Sequence, residues 1–275
     1  MLQMFHYDFM QHAFIAGTIV AVMCGAIGVF VVARGLSFIT HSFSHIGFSG
    51  ASFAIYVGWD PLEGLLLFTT VGALSIGQMG VKFFRREASI SVILSVFLGL
   101  GILFLSLSTQ SGSFTSTILF GSVVGISLRD VWVIVILTIV LLCLLTVGYK
   151  MLKFDSFDPA GAQAAGLPIR FISVAFLLLL SVGVAEAVQI VGALLVFALM
   201  TIPAAVARHV TQSVFMMIVV SAILAVVGVW VGLTLSYFTS APVSFYITAF
   251  EALCYFLAIG WSAFKSRYQP IKASV

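Results

Sequence analysis

Long apolar runs separated by short polar breaks recur along the whole chain. Nine can be drawn, at about residues 12–33, 42–59, 62–81, 91–108, 130–149, 171–188, 190–207, 213–236 and 243–263. Each is at least 18 residues long, enough for a helix rising 1.5 Å per residue to cross most of a ~30 Å hydrocarbon core. Strand-type alternation is absent, and lipid demands that a spanning segment satisfy its own backbone hydrogen bonds. The pattern therefore predicts an all-α polytopic membrane bundle of about eight to nine transmembrane helices, forming one unit over residues 1–275. One stretch breaks the rhythm. Residues 109–128, TQSGSFTSTILFGSVVGISL, are rich in Ser, Thr and Gly and read as a loop holding a short interfacial or re-entrant helix.

Composition sharpens this picture. Hydrophobic residues make up 62% of the chain and charged residues 8%, where a soluble domain carries about 25% charged residues. The net charge of +3 points to no nucleic-acid partner, because in a membrane protein the placement of basic residues is what informs. If the runs alternate in direction, Arg34, Lys82, Arg85, Arg86, Lys150, Lys153, Arg170, Arg208, Lys265, Arg267 and Lys272 share one side, and Arg129 alone faces the other. The positive-inside rule makes the shared side cytoplasmic, with the amino terminus outside and the carboxyl terminus inside. Asp8, Asp60, Glu63, Asp130 and Glu186 then fall outside. They read either as an acidic mouth, with Asp60, Glu63 and Glu186 at its centre, or as ordinary solvated loop charge. Cys24, Cys143 and Cys254 each sit in an apolar run and read as small buried hydrophobes. The opening MLQMFHYDFMQHAF lacks a basic n-region and a small-residue cleavage site, so it reads as mature protein.

The longest polar stretch on the cytoplasmic side is YKMLKFDSFDPAGAQAAGLPIRF, residues 149–171. Within it, Asp158 stands at an N-cap position, Pro159 at the first helical position, Gly166 just past the end, and Pro168 two residues on. That punctuation predicts a short helix between two spans, either a docking knob for a cytoplasmic partner or a plain connector.

The candidate chemistry lies in FITHSFSHIGFSGASFAIYVG, residues 38–58. His41 and His45 are four residues apart and share a helical face, which Phe48, Ser49 and Ser52 continue. On the other side, Gly50, Ala54 and Gly58 form a small-residue stripe suited to close helix packing. A polar face inside a membrane lines a cavity or meets another polar face. Imidazoles at this spacing can offer two nitrogens to a metal; alternatively, both can donate to carbonyls in a packed core. His6, His12 and His209 lie at the edges of the bundle and read as ordinary polar residues. Two imidazoles do not complete a zinc or manganese site, but a two-fold axis along this face would supply two more from a second copy.

In three places the chain resembles the permease subunit of the manganese/zinc/iron family of ABC importers. GLSFITHSFSHIGFSGASFA (35–54) is similar to the family's helix with a Ser-His pair and a small-residue run. KFDSFDPAGAQAAGLP (153–168) is similar to its coupling segment, and VQIVGALLVFALMTIPAAVAR (188–208) to its late span ending in Pro-Ala-Ala. The opening YDFMQHAF looks like zinc-type members. The resemblance implies a type II ABC importer-like permease in a bacterial-type cell membrane. It works as a homodimer with a cytoplasmic ABC ATPase dimer, an extracytoplasmic metal-binding protein and surrounding lipid. It also implies ATPase coupling through Phe154, Asp155, Asp158, Pro159, Ala164 and Gly166, passage of metal past His41 and His45 with Ser49 and Ser52 beside them, and no permanently bound cofactor. The chain has no Gly-x-x-x-x-Gly-Lys-Ser/Thr loop, so ATP hydrolysis belongs to the partner. The chain departs from the family at one position, where the aspartate usual four residues before the histidine is replaced by His41. Imidazole in place of carboxylate favours zinc over manganese and makes passage sensitive to histidine protonation. Manganese, iron, cobalt, nickel or a metal chelate remain alternative cargoes.

Two readings from other classes compete. Gly-x-Ser-Gly at residues 47–50 matches the pattern of rhomboid-type intramembrane proteases, with Ser49 as nucleophile and His45 as the nearest base. An ion-coupled carrier would need intramembrane carboxylates; Glu251 lies well inside a run, where it reads as a structural group bonding across helices, and Glu186 lies near a mouth.

Overall fold

The computed structural model describes residues 7–78, 87–108, 118–119, 121, 126–239 and 241–268. These form ten helices: α1 Asp8–Arg34, α2 Ser37–Val57, α3 Pro61–Gln78, α4 Glu87–Leu107, α5 Leu128–Phe157, α6 Pro159–Ala164, α7 Ile169–Val191, α8 Ala193–Val210, α9 Val214–Thr239 and α10 Val243–Tyr268. Each of the nine apolar runs corresponds to one long helix, although the run at 190–207 begins in α7 and crosses Gly192 into α8, and residues 79–81 of the run at 62–81 lie outside the described residues. By length and composition, seven of the described helices can cross a membrane: α1, α4, α5, α7, α8, α9 and α10. α2 and α3 are long enough but less apolar, because imidazoles and hydroxyls interrupt α2 and Pro61, Glu63 and Gln78 dilute α3. The expectation for residues 109–128 falls largely outside the described residues, as do His6, Lys82, Arg85, Arg86 and Lys272.

Two helices organise the bundle. α1 packs against α5, α7, α8 and α9, and α2 against α3, α4, α7 and α8. Glycine turns set their ends. Gly35 adopts φ 68°, its N–H donates to Val32 O, and the N–H of Leu36 donates to Val31 O. Gly58 repeats this at φ 83°, with Gly58 N–H to Ile55 O and Trp59 N–H to Ala54 O. Both are Schellman endings, which satisfy the last carbonyls and favour a residue without Cβ in the left-handed region. Gly58 is exposed, and a Cβ added to it would meet nothing within 4 Å. It is therefore a cap, and the packing stripe expected along α2 stops at Ala54.

The α2–α3 contact is close at Gly50 and Gly64. A Cβ on Gly50 would overlap the carbonyl oxygen of Gly64, and one on Gly64 would come within 2.7 Å of the Ala54 Cβ. Above this seam, Phe53 gathers Phe68, Phe104 and Trp59 with ring centroids 5.4, 5.1 and 5.8 Å away, tying α4 to the α2–α3 pair. Centroid spacings in this range are those of favourable aromatic pairs.

α5 begins with a capping box. The Ser127 hydroxyl accepts from the Asp130 N–H while the Asp130 carboxylate accepts from the Ser127 N–H. At 30 residues it is about 45 Å long, well beyond a ~30 Å hydrocarbon core. In its last turns Lys150, Lys153, Phe154 and Phe157 are exposed while Leu152, Asp155 and Ser156 are buried, so this end keeps one side packed as it turns into α6.

Candidate metal pathway and coupling segment

His41 and His45 lie on the first half of α2, both half-buried. Their rings meet edge to face with centroids 4.6 Å apart, and His41 packs edge-on against Phe197 of α8 at 5.5 Å. Among the described residues neither imidazole hydrogen-bonds to a carbonyl, so the packed-core reading of the pair lacks the bonds it requires. No group of three or more His, Cys, Asp or Glu occurs among the described residues. One chain therefore brings two nitrogen-bearing side chains to this face without completing a coordination sphere.

The hydroxyls of α2 behave differently. Thr40, Ser42, Ser44, Ser49 and Ser52 each donate to the carbonyl four residues earlier. This local back-bonding lets a polar helix enter an apolar interior. Ser49 and Ser52 are fully buried. Ser49 lies against α4, where a Cβ on Gly101 would come within 2.7 Å of its Oγ. Among the described residues, these two serines are closed off from solvent within one chain. Ser49 also donates to the main-chain carbonyl of His45 at 3.1 Å, so the nucleophile–imidazole pairing that a serine protease needs is not formed.

The coupling segment follows its predicted punctuation. Asp158 caps α6 by accepting from the Gly161 N–H at 2.9 Å, Pro159 opens the helix, and Gly166 turns the chain at φ 74°. Phe154, Asp158, Pro159, Ala164 and Gly166 are exposed and available to a partner. Asp155 is not. It is buried and its carboxylate pairs with the Arg34 guanidinium at 2.7 Å.

The acidic group expected at an external mouth also divides. Asp60 and Glu63 are exposed at the α2–α3 turn, with Asp60 Oδ1 accepting from the Leu62 N–H at 2.9 Å. Glu186 is fully buried on α7 and accepts a hydrogen bond from Thr138 of α5, so it forms no part of an exposed mouth. Glu251 is 2% exposed, and its carboxyl oxygens have no hydrogen-bond partner among the described residues; the cross-helix bond expected of it is not there. Gly228 of α9 lies beside it: an added Cβ there would stand 3.4 Å from the Glu251 Cγ. His12 contacts the Ile126 carbonyl oxygen at 3.1 Å, and exposed His209 neighbours Tyr255 at 6.2 Å. Cys24 is buried, while Cys143 is exposed and Cys254 half-buried, which corrects the expectation that all three are interior.

Sequence reasoning overlooked Arg34. Its one available signal was its position, a guanidinium closing an apolar helix directly before a glycine.

An all-helical bundle in which seven of the described helices are long and apolar enough to cross a membrane is the architecture of a polytopic membrane protein. The ABC 3 transport family matches residues 6–262, and the chain belongs to it. It is 33% identical over 232 residues to the manganese transport system membrane protein MntC of Listeria monocytogenes, covering 84% of this chain and 82% of that one. It is 29% identical over 263 residues to the manganese import system permease protein ScaB of Streptococcus gordonii, covering 95% and 94%. Among solved structures, PsaBC from Streptococcus pneumoniae, in complex with Fab, matches with a TM-score of 0.83 at 27% identity, covering 92% of this chain and 91% of that one. The resemblance read from the three motifs thus holds across the chain.

Proposed function

We propose that the whole chain is the permease domain of an ATP-driven importer of a divalent transition metal ion. Two copies face each other across a two-fold axis, and the ion passes His41 and His45 of each. The observation that carries this reading is the imidazole pair, half-buried on one face of α2 and free of hydrogen bonds among the described residues. Two such pairs would supply four nitrogen donors, a set suited to zinc. The amino terminus and the Asp60–Glu63 turn face outward, where their charge attracts a cation delivered by a binding protein. The exposed residues from Phe154 to Gly166 face the cytoplasm and dock an ABC ATPase dimer.

A second reading keeps the machinery and changes the cargo to manganese. It is favoured by the names of the relatives, MntC and ScaB. Metal uptake decides between them, measured in cells lacking their own high-affinity importers and supplied with the chain, its ATPase and its binding protein. His45→Ala is expected to abolish uptake at unchanged expression, and His41→Asp to shift preference from zinc toward manganese. Uptake of both variants like that of the native chain would overturn the pathway. Manganese preference in the native chain would overturn the zinc assignment alone.

A further inference from the structure

Arg34 is the last residue of α1, and its guanidinium joins three elements at once. Nη2 lies 2.7 Å from Asp155 Oδ2, and Nε donates to Ser156 Oγ at 2.8 Å. Both partners sit in the final turn of α5, immediately before the coupling helix α6. The guanidinium carbon stands 4.8 Å above the ring of Phe176 on α7. The side chains of Arg34 and Asp155 are 9% and 6% exposed. Nη2 makes an ion pair with Asp155 without hydrogen-bond geometry, while the Nε–H bond to Ser156 and the ring beneath the planar cation give the link a direction that an ammonium could not reproduce.

The link has a short lever on its other side. Gly35 follows Arg34 in the left-handed conformation, with open space around it, and α2 begins two residues later. His41 is the fifth residue of α2. The exposed coupling residues, the buried ion pair, the glycine joint and the imidazole face thus form one connected path. Beside the pair lies a cavity of about 440 Å³, bordered by Arg34, Phe38, Ile39, Asp155, Ser156 and Ser173. A wholly encased ion pair resists separation because each charge would be left without solvation. Here a cavity large enough for water borders both charges and the first turn of α2, so the pair can part and re-form while both groups stay solvated.

We propose that Arg34 is a positioning residue of the transport cycle: its bonds to Asp155 and Ser156 carry displacement of the coupling segment to α2 and so set the placement of His41 and His45. Asp155, on this assignment, serves the link and makes no contact with the ATPase. The proposal rests on the reading that the exposed residues from Phe154 to Gly166 dock that ATPase.

The test uses the complete importer, permease with ATPase and binding protein, in proteoliposomes. Metal ions moved and ATP hydrolysed are measured together. A purely structural role for the pair would lower both in proportion and leave their ratio unchanged. In Arg34→Met/Asp155→Leu, which removes both charges and leaves neither buried alone, ATPase retention and hydrolysis are expected to persist. The metal-to-ATP ratio is expected to fall about tenfold, within the range of measured coupling between sites. The charge exchange Arg34→Asp/Asp155→Arg is expected to recover much of the ratio. Should the apolar pair not assemble, Arg34→Lys decides by the same ratio, since it keeps the charge and loses the fork. An unchanged ratio in the assembled variant overturns the proposal. Native permease that retains no ATPase would instead overturn the reading of the docking segment, an outcome visible before any variant is made.

Discussion

Replacing Gly50 by alanine tests the closest helix contact beneath the histidine helix. The new Cβ would overlap the carbonyl oxygen of Gly64 and come within 2.7 Å of the Phe68 Cβ, where carbon atoms prefer about 3.5–4.0 Å. Relief requires α2 and α3 to separate by about 1 Å. The obstacle is main chain, which cannot swing aside as a side-chain tip can. Overpacking costs about 1–3 kcal/mol, and the rigid neighbour places this site near the top of that range. Alanine's better helix propensity returns about 1 kcal/mol. The net loss is then about 2 kcal/mol, or about 4–8 °C in melting temperature for a chain of this size. The matched control is Gly99→Ala on α4, whose Cβ would meet no atom within 4 Å and which should hold or raise stability. Melting of both variants in one detergent, followed by size-exclusion chromatography, measures the difference. Gly64→Ala should repeat the loss from the other side of the contact, and the double variant should lose less than the sum, because the first separation makes room for the second methyl. If Gly50→Ala melts at or above the native temperature while Gly99→Ala behaves as stated, the α2–α3 seam is looser than its geometry implies.

Two further outcomes follow from buried and capping groups. Thr138→Val removes the donor to buried Glu186 and should lower stability by about 0.6–1.7 kcal/mol, the span of hydrogen bonds measured between membrane helices. Adding Glu186→Leu should restore most of it, since removing both partners leaves no orphaned polar group; a double variant less stable than Thr138→Val, seen in the same melts, would mean the carboxyl serves some other bond. Asp158→Ala removes the cap accepting from the Gly161 N–H, worth about 0.5–2 kcal/mol locally. Because the loss is confined to α6, it should weaken ATPase retention on purification while leaving the melting temperature within error, and the reverse pattern would remove α6 from the docking surface.

Helix positions and the coupling turn were legible in the sequence because each has a local cause. Apolar runs bounded by glycine place α1 and α2, and the Asp158, Pro159, Gly166 series places α6 to within a residue. Long-range pairing has no such local signature. Asp155 and Asp158 look alike in sequence, yet one is buried against a residue 121 positions away and the other caps its own helix in the open. Glu186 was placed in an exposed mouth from its nearness to a span end, but depth along a helix says nothing about which way the residue faces. Gly58 fitted the small-residue stripe by spacing while its actual role was to end the helix.

The same contrast explains why α2, one of the less apolar long helices, is also one of the two around which the bundle is built. Its polarity has two parts with opposite fates. Five hydroxyls spend their donors on carbonyls one turn earlier in the chain, so neighbouring helices meet them as small, nearly apolar residues, and Gly101 of α4 can approach Ser49 closely. An imidazole is too large and too rigid to fold back in that way. His41 and His45 consequently keep their polar atoms for whatever lies across the helix face, with Phe197 closing one side. A helix whose sole purpose was packing would gain by replacing both with leucine, because burying an uncompensated polar group costs free energy. Half-buried on one side of α2, the two rings leave their nitrogens open to water or to a partner, and on the function proposed above a second copy with an ion between the two faces would occupy them.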